Sequence, residues 1–202
     1  MTGHAALVLA GGHATRMGGG DKPLLELGGK SMLARILDRI SIDTTHIAIS
    51  ANGDPARFAG FGYPVLHDGE FMNQGPLAGV LAGLDWAAGL SIGTLLTVPG
   101  DTPFIPAGLA GSLFPAPACA ASAGQLHTLV ALWPISVRDQ LRALLSVAGP
   151  RSVEKFATSV GMRMVEFPAG AADPFMNLND RTQLEAARML VQDTVIQDRE
   201  PQ

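Results

Sequence analysis

The segment Leu7-Val8-Leu9-Ala10-Gly11-Gly12-His13-Ala14-Thr15-Arg16-Met17-Gly18-Gly19-Gly20-Asp21-Lys22 constrains this chain more than any other. A short apolar run stopped by Gly11-Gly12 reads as a buried strand over residues 5–10. It empties into a loop with five glycines, an arginine and a lysine. Glycine has no Cβ, so backbone N–H groups there can approach phosphate oxygens closely. Arg16 can fork two hydrogen bonds to a phosphate, and Lys22 adds a point charge. The segment reads as a nucleoside triphosphate site. A plain glycine turn would explain the glycines but not Arg16, Asp21 and Lys22 together. Two familiar phosphate loops are excluded. Lys22 is followed by Pro23 where a P-loop needs Ser or Thr. The dinucleotide fingerprint needs a helix at once, whereas the next helical pattern begins near Ser31.

Downstream, strand and helix patterns alternate. Residues 31–40 carry apolar side chains at 32, 33, 36, 37 and 40, with Ser31 as N-cap. Residues 46–50 and 63–67 read as strands, the latter delayed by Pro64. Residues 76–88 form a helix with Pro76 in its first turn. Gly79 and Gly83 weaken that helix by about 1 kcal/mol each, which close approach to a sheet would offset. Residues 94–98 are a fourth strand. The fold expected is α/β, a three-layer sandwich around a mostly parallel, Rossmann-like sheet. Ligands of such sheets bind at the carboxyl ends of the strands. The glycine loop, Ser50-Ala51-Asn52, His67-Asp68 and Pro99-Gly100-Asp101 all follow strands, so one edge gathers all four. The second half is less regular. Strands are expected near 116–122, 126–133 and 162–167, and helices over 137–147, 152–160 and 180–192. Residues 193–202 read as a frayed polar tail.

The chain has 202 residues, 47% of them hydrophobic and 16% charged, which suits one compact domain. A net charge of −4 argues against general affinity for nucleic acid. An anionic ligand must rely on local charge, and two of the three lysines, Lys22 and Lys30, lie in or just after the loop. The single Cys119 allows no internal disulfide and reads as a small buried hydrophobe. No signal-peptide pattern and no apolar run of membrane length is present, so the cytoplasm and no membrane association are expected.

Asp101, just beyond an apolar strand, is placed to contact Mg²⁺, which takes one or two carboxylates plus substrate phosphates. Its alternative is turn capping before Thr102-Pro103. Asp68 can meet a base, a ribose or a metal, or simply form a turn before Gly69. Asn52 offers an amide to a base or ribose, or belongs to the turn Asn52-Gly53-Asp54-Pro55. His13, His46 and His127 share no zinc-ligand spacing. No local motif suggests a Ser-His-Asp or Cys-His set. A phosphate monoester nucleophile needs none, being largely ionised at pH 7 with a second pKa of about 6. It needs alignment with the α-phosphorus and stabilisation of the departing pyrophosphate.

Leu9-Ala10-Gly11-Gly12, Arg16-Met17-Gly18 and Asp21-Lys22-Pro23-Leu24-Leu25 resemble the molybdenum cofactor guanylyltransferases, of the GT-A-like nucleotidyltransferase kind. So do Gly75-Pro76-Leu77-Ala78-Gly79-Val80, Pro99-Gly100-Asp101-Thr102-Pro103-Phe104 and Phe175-Met176-Asn177-Leu178-Asn179. The resemblance implies transfer of GMP from GTP to the terminal phosphate of Mo-molybdopterin, with Mg²⁺ as cofactor and release of pyrophosphate. Carried over by position, Leu9, Ala10, Gly11, Gly12, Lys22, Asn52, Asp68 and Asp101 would bind GTP, and Asp101 would hold the metal. Arg16, Lys22 and Asp101 would be catalytic. Asn177 and Asn179 would lie on the pterin side, and residues 125–133 would line the acceptor pocket. The domain would span 1–192, with a GTP-binding half over 1–104 and an acceptor-binding half over 105–192. A monomer is expected, with transient contact to a molybdenum insertase or a molybdoenzyme chaperone. Where Gly100 stands the family often has Cys, and where His127-Thr128 stands it often has His-Pro. Asp180-Arg181 replaces a frequent Thr-Pro, yet Asp180 with Gln183 can still make a capping box. Two alternatives stay open: a cytidylyltransferase or other nucleotidyltransferase with a different phosphorylated acceptor, and a nucleotide-binding adaptor without catalysis.

Overall fold

A computed structural model describes residues 3–11, 21–170 and 172–197. Nine strands occur among them: β1 Ala5–Leu9, β2 Glu26–Leu27, β3 Lys30–Ser31, β4 Ile47–Ser50, β5 Val65–Leu66, β6 Thr94–Pro99, β7 Ala118–Ser122, β8 Gln125–Pro134 and β9 Arg163–Glu166. The helices are α1 Met32–Ile40, α2 Pro76–Gly89, α3 Leu109–Leu113, α4 Arg138–Ser146, α5 Val153–Ser159 and α6 Arg181–Gln197. Seven strands form one sheet in the order β5-β4-β1-β6-β8-β7-β9. β5, β4, β1 and β6 run parallel. β8 reverses against both β6 and β7, and β9 pairs parallel to β7. The mostly parallel sandwich expected from the sequence is the one observed.

Strand periodicity builds the two faces. Ala6, Val8, Ile47, Ile49, Leu96 and Val98 turn toward α1, α3 and Phe58. Ala5, Leu7, Ala48, Leu95 and Trp133 turn toward α2, α4 and α5. Side chains alternate because successive Cβ atoms point to opposite sides of a strand. α1 starts where the sequence places it, with the Ser31 hydroxyl accepting from the Ala34 N–H at 3.1 Å. The glycines of α2 have the close approach that would offset their cost. A Cβ on Gly83 would sit 2.6 Å from Leu7 Cδ2 and 2.8 Å from Leu95 Cδ2. A Cβ on Gly79 would sit 2.5 Å from Ser50 Oγ.

Three features depart from the sequence reading. α6 extends to Gln197, five residues into the expected tail that starts at 193, because no glycine or proline interrupts the chain before Pro201. Its first turns pack Leu184, Ala187 and Val191 on Leu27 and Met32, covering the short β2–β3 hairpin. That hairpin and α3 are too short for periodicity to reveal. The capping box at Asp180 does form: Asp180 Oδ1 accepts from Gln183 N at 2.8 Å. Gln183 Oε1 reaches back to the N–H of Asn179 at 2.6 Å, one residue beyond the usual target.

Candidate active site

The carboxyl ends of β5, β4, β1 and β6 open into a cavity of about 580 Å³. Leu9, Gly11, Asn52, Asp68 and Asp101 all line it, so the four post-strand segments converge. Adjacent strands lie about 4.8 Å apart, so the ends of β5 and β6 are about 14 Å apart, a span suited to an extended nucleotide. Ala10 is fully buried, and its side chain belongs to the core while its N–H donates to Ser50 O at 2.8 Å. His67 faces a neighbouring cavity of about 360 Å³ that Asp68 shares. Gly12 and Arg16 lie outside the described residues.

At the β6 end, Lys22 opens a short 3-10 turn, Lys22–Leu24. Pro23 sits at the first positions of that turn, where its fixed φ suits a helical start. The ammonium of Lys22 pairs with Asp101 Oδ2 and donates to Asn179 Oδ1 at 2.6 Å. Only 11% of the Lys22 side chain and 19% of that of Asp101 is exposed, so solvent screens the pair weakly. Asp101 Oδ1 has only a 3.5 Å contact to the Thr102 hydroxyl and stays available to a ligand. The Asp101 carbonyl accepts from Leu178 N at 3.1 Å, and Thr102 Oγ1 donates to Asn177 Oδ1 at 3.0 Å. Of the two asparagines expected on the pterin side, Asn179 thus touches Lys22 directly, and Asn177 bonds Thr102, the neighbour of Asp101. A Cβ on Gly100 would meet Pro23 Cγ at 2.8 Å and Leu9 O at 3.2 Å, so the glycine lets Pro23 pack against the end of β6 and a larger residue would push Pro23 away.

At the β5 end, the amide of Asn52 is committed to Asp68. Its Nδ2 donates to Asp68 Oδ2 at 2.7 Å, and its Oδ1 accepts from Asp68 N at 3.1 Å. Asn52 therefore holds Asp68, by its backbone N–H and one carboxylate oxygen, at the wall of the cavity. The Asn52 carbonyl accepts from Arg57, a cavity residue that no sequence motif singles out. It stands in the 3-10 run Pro55–Phe61, started by Asp54 Oδ1 accepting from Ala56 N at 2.9 Å. The only signal for it was the turn Asn52-Gly53-Asp54-Pro55, which returns the chain toward the strand end.

Residues 172–179 run from the far side of the sheet to Asp101. Asp173 Oδ1 accepts from the Ser122 hydroxyl at 2.7 Å and from Phe175 N at 2.8 Å. Ser122 Oγ also lies 2.8 Å from His127 Nε2. Because the carboxylate only accepts, the serine proton goes to Asp173 and the histidine donates to Ser122. Ser122 is fully buried and its proton is spoken for, so the trio braces the chain and does not activate a nucleophile. Burial lowers the His127 pKa, against the opposing pull of Asp173 and Glu166. Phe175 is buried between the rings of His127 and Phe167, with centroids 5.2 and 5.0 Å away. Of residues 125–133, Leu129 alone lines the main cavity. Trp133 is instead a core residue whose indole donates to Thr97 Oγ1 at 2.9 Å. Alternation along β8 sends successive side chains to opposite faces of the sheet, so the stretch cannot all line one pocket.

A mostly parallel sheet that brings Gly11, Lys22, Asp68 and Asp101 to one cavity at its strand ends is a nucleotide-binding α/β arrangement. Solved structures agree. A nucleotidyl transferase from Methanothermobacter thermautotroptrophicus superposes with a TM-score of 0.73 at 16% identity, covering 96% of this chain and 100% of that one. The molybdopterin-guanine dinucleotide biosynthesis protein A of Archaeoglobus fulgidus gives 0.69 at 19% identity, covering 94% and 99%. The MobA-like NTP transferase domain model matches residues 6–160, and the chain belongs to that family. It is 52% identical over 182 residues to the molybdenum cofactor guanylyltransferase of Acidiphilium cryptum, covering 90% of this chain and 92% of that protein. It is 46% identical to the enzyme of the same name from Rhodopseudomonas palustris strain BisB5, covering 94% and 95%. The chain is therefore a nucleotidyltransferase, as the glycine loop with Lys22 and Asp101 led us to expect. No helix among the described residues is long and apolar enough to cross a membrane.

Proposed function

We propose that this protein transfers GMP from GTP to the terminal phosphate of Mo-molybdopterin, forming molybdopterin guanine dinucleotide and pyrophosphate. The observation that carries the proposal is the Lys22–Asp101 pair lining the cavity at the strand ends, with Asn179 Oδ1 accepting from Lys22. The relatives named molybdenum cofactor guanylyltransferase supply the substrate class.

A divalent cation fits the donor set. Among the described residues no group of three His, Cys, Asp or Glu could hold a metal alone. Asp101 Oδ1 is uncommitted, and one carboxylate completed by phosphate oxygens and water is how Mg²⁺ is usually held. Once bound, the metal would neutralise charge on the triphosphate and the departing pyrophosphate.

The protein's own part is alignment. Asp68, fixed by Asn52, and Gly11 hold the nucleoside end, while Lys22 meets the phosphates. Arg16, Leu9, Ala10 and Gly12 complete this reading, Ala10 through its backbone. An oxygen of the acceptor phosphate forms a bond to the α-phosphorus as the bond to the α,β-bridging oxygen breaks. The nucleophile is already ionised, so no general base is required. Lys22 stabilises negative charge that grows on the leaving pyrophosphate. Asn177 and Asn179 meet the pterin side.

Pyrophosphate release with Mg²⁺ and molybdopterin, compared among GTP, CTP and ATP, tests the proposal. Release with GTP alone, and only with the pterin, supports it. Release with CTP moves the protein to the cytidylyltransferases, and nucleotide binding without release marks a silent binding module.

A further inference from the structure

Asp21 is the one acidic residue in the glycine-rich segment. A carboxylate beside a triphosphate site repels the ligand unless its charge is cancelled. Asp21 stands at the N-cap of the Lys22–Leu24 turn, yet its side chain makes no capping bond. Its Oδ1 instead lies 3.1 Å from Arg57 Nη1, with 16% of the Asp21 side chain and 26% of the Arg57 side chain exposed. The other arm of the guanidinium, Nη2, donates to the Asn52 carbonyl. The guanidinium carbon sits 4.9 Å from the Phe58 ring centroid, and Phe58 is fully buried. Gly53, at φ +85°, lets the chain turn back so that Arg57 reaches both partners. A run of polar contacts thus links Asp68 through Asn52 and Arg57, all lining the cavity, to Asp21, the neighbour of Lys22.

We propose that Arg57 is a positioning residue for nucleotidyl transfer. It cancels the charge of Asp21 and staples the foot of the glycine-rich segment to the Asn52 loop. Lys22 and Asp68 then keep a fixed separation, and the nucleotide meets a site already ordered. A planar guanidinium can serve a carboxylate and a carbonyl at once; an ammonium is a single point charge and cannot hold the same fork. Preorganisation of this kind appears as affinity, because the ligand no longer has to order the groups that bind it. The inference rests on the nucleotidyl-transfer reading.

The test is a double-mutant cycle on the full chain with Arg57→Met, Asp21→Asn and the double variant, with Arg57→Lys as the conservative control. GTP affinity by calorimetry with Mg²⁺, KM and kcat from pyrophosphate release, and Tm are read for each. Arg57→Met is expected to raise Kd and KM for GTP by about 10-fold while kcat changes less than about 3-fold. Arg57→Lys recovers only part of the loss. In the Asp21→Asn background the same Arg57→Met change costs less than about 3-fold, since the charge to be cancelled is gone. If the full loss persists in that background, Arg57 touches the nucleotide itself and the proposal is wrong. If Tm falls while Kd and KM hold, Arg57 is only structural and the proposal is equally wrong. Should the wild-type protein bind CTP or ATP and not GTP, the GMP-transfer reading fails by itself. The cycle is then read with the bound nucleotide, where loss of the Asp21–Arg57 coupling alone decides against Arg57.

Discussion

The two halves of the sheet handle their strand ends in opposite ways. On the parallel side, β5, β4, β1 and β6 deliver Asp68, Asn52, Gly11 and Asp101 to an open cavity. On the other side, the β7–β8 hairpin closes its end with Ser122 bonded to both His127 and Asp173 and Phe175 packed beneath. One half turns its polar groups toward that cavity; the other uses them to hold residues 172–179 in place. Those residues carry Asn177 and Asn179 to the seam, where both halves meet on the Lys22–Asp101 pair. Parallel strands leave loops at one edge free to vary, whereas a tight hairpin must satisfy its own buried groups.

Substitutions at the seam should harm both halves at once and have the largest effects. Asp101→Ala is expected to cut pyrophosphate release at millimolar Mg²⁺ by about 1000-fold or more, because the carboxylate proposed to hold the metal is lost. Near-normal turnover would remove Asp101 from the metal site. Lys22→Ala should cost about 100-fold in kcat/KM for GTP. It should also weaken use of the pterin, since Asn179 loses its donor. An effect confined to GTP would mean that the seam does not couple the halves.

Away from the seam the effects should separate. Asn52→Ala leaves Asp68 without its clamp and should raise KM for GTP by about 10-fold, while KM for the pterin stays within about 2-fold. Ser122→Ala should do the reverse. It strips Asp173 of a buried donor, lowering stability by about 1–3 kcal/mol and raising KM for the pterin more than KM for GTP. If both variants impair both substrates equally, the division into halves is broken. The smallest effect concerns pH. His127 is held below its ordinary value near 6.5, chiefly by burial, and His4 is shifted the same way. The unfolded chain then binds protons more readily than the fold, so stability is full above about pH 6.5 and falls on acidification through the lowered folded value. His127→Gln should flatten the decline of Tm between about pH 6.5 and 5. An unchanged slope would assign the decline to His4 and other groups.

Much of the nucleotide half was legible because it is local. Strands β1, β4 and β6 are short apolar runs, and Gly11, Asn52 and Asp101 each stand two residues beyond the end of their strand. Gly79 and Gly83 announced a close contact that the packing of α2 supplies. The acceptor half was harder, because its contacts join distant segments. Periodicity along β8 cannot say that only Leu129 faces the cavity, and nothing near Ser122 points to Asp173, which lies 51 residues away.

By itself, then, the sequence determined the alternation of elements, the edge of the sheet where the cavity opens and the lysine and carboxylate that meet there. These follow from hydrophobic period, glycine placement and the rule that loops after parallel strands share one edge. Only the tertiary structure decided which polar groups are spent on one another. It committed the Asn52 amide to Asp68, gave Asp21 to Arg57, and brought Asn179 across 157 residues to Lys22. A side chain's partners depend on how the backbone carries distant segments together, and a single sequence encodes that only through the whole fold.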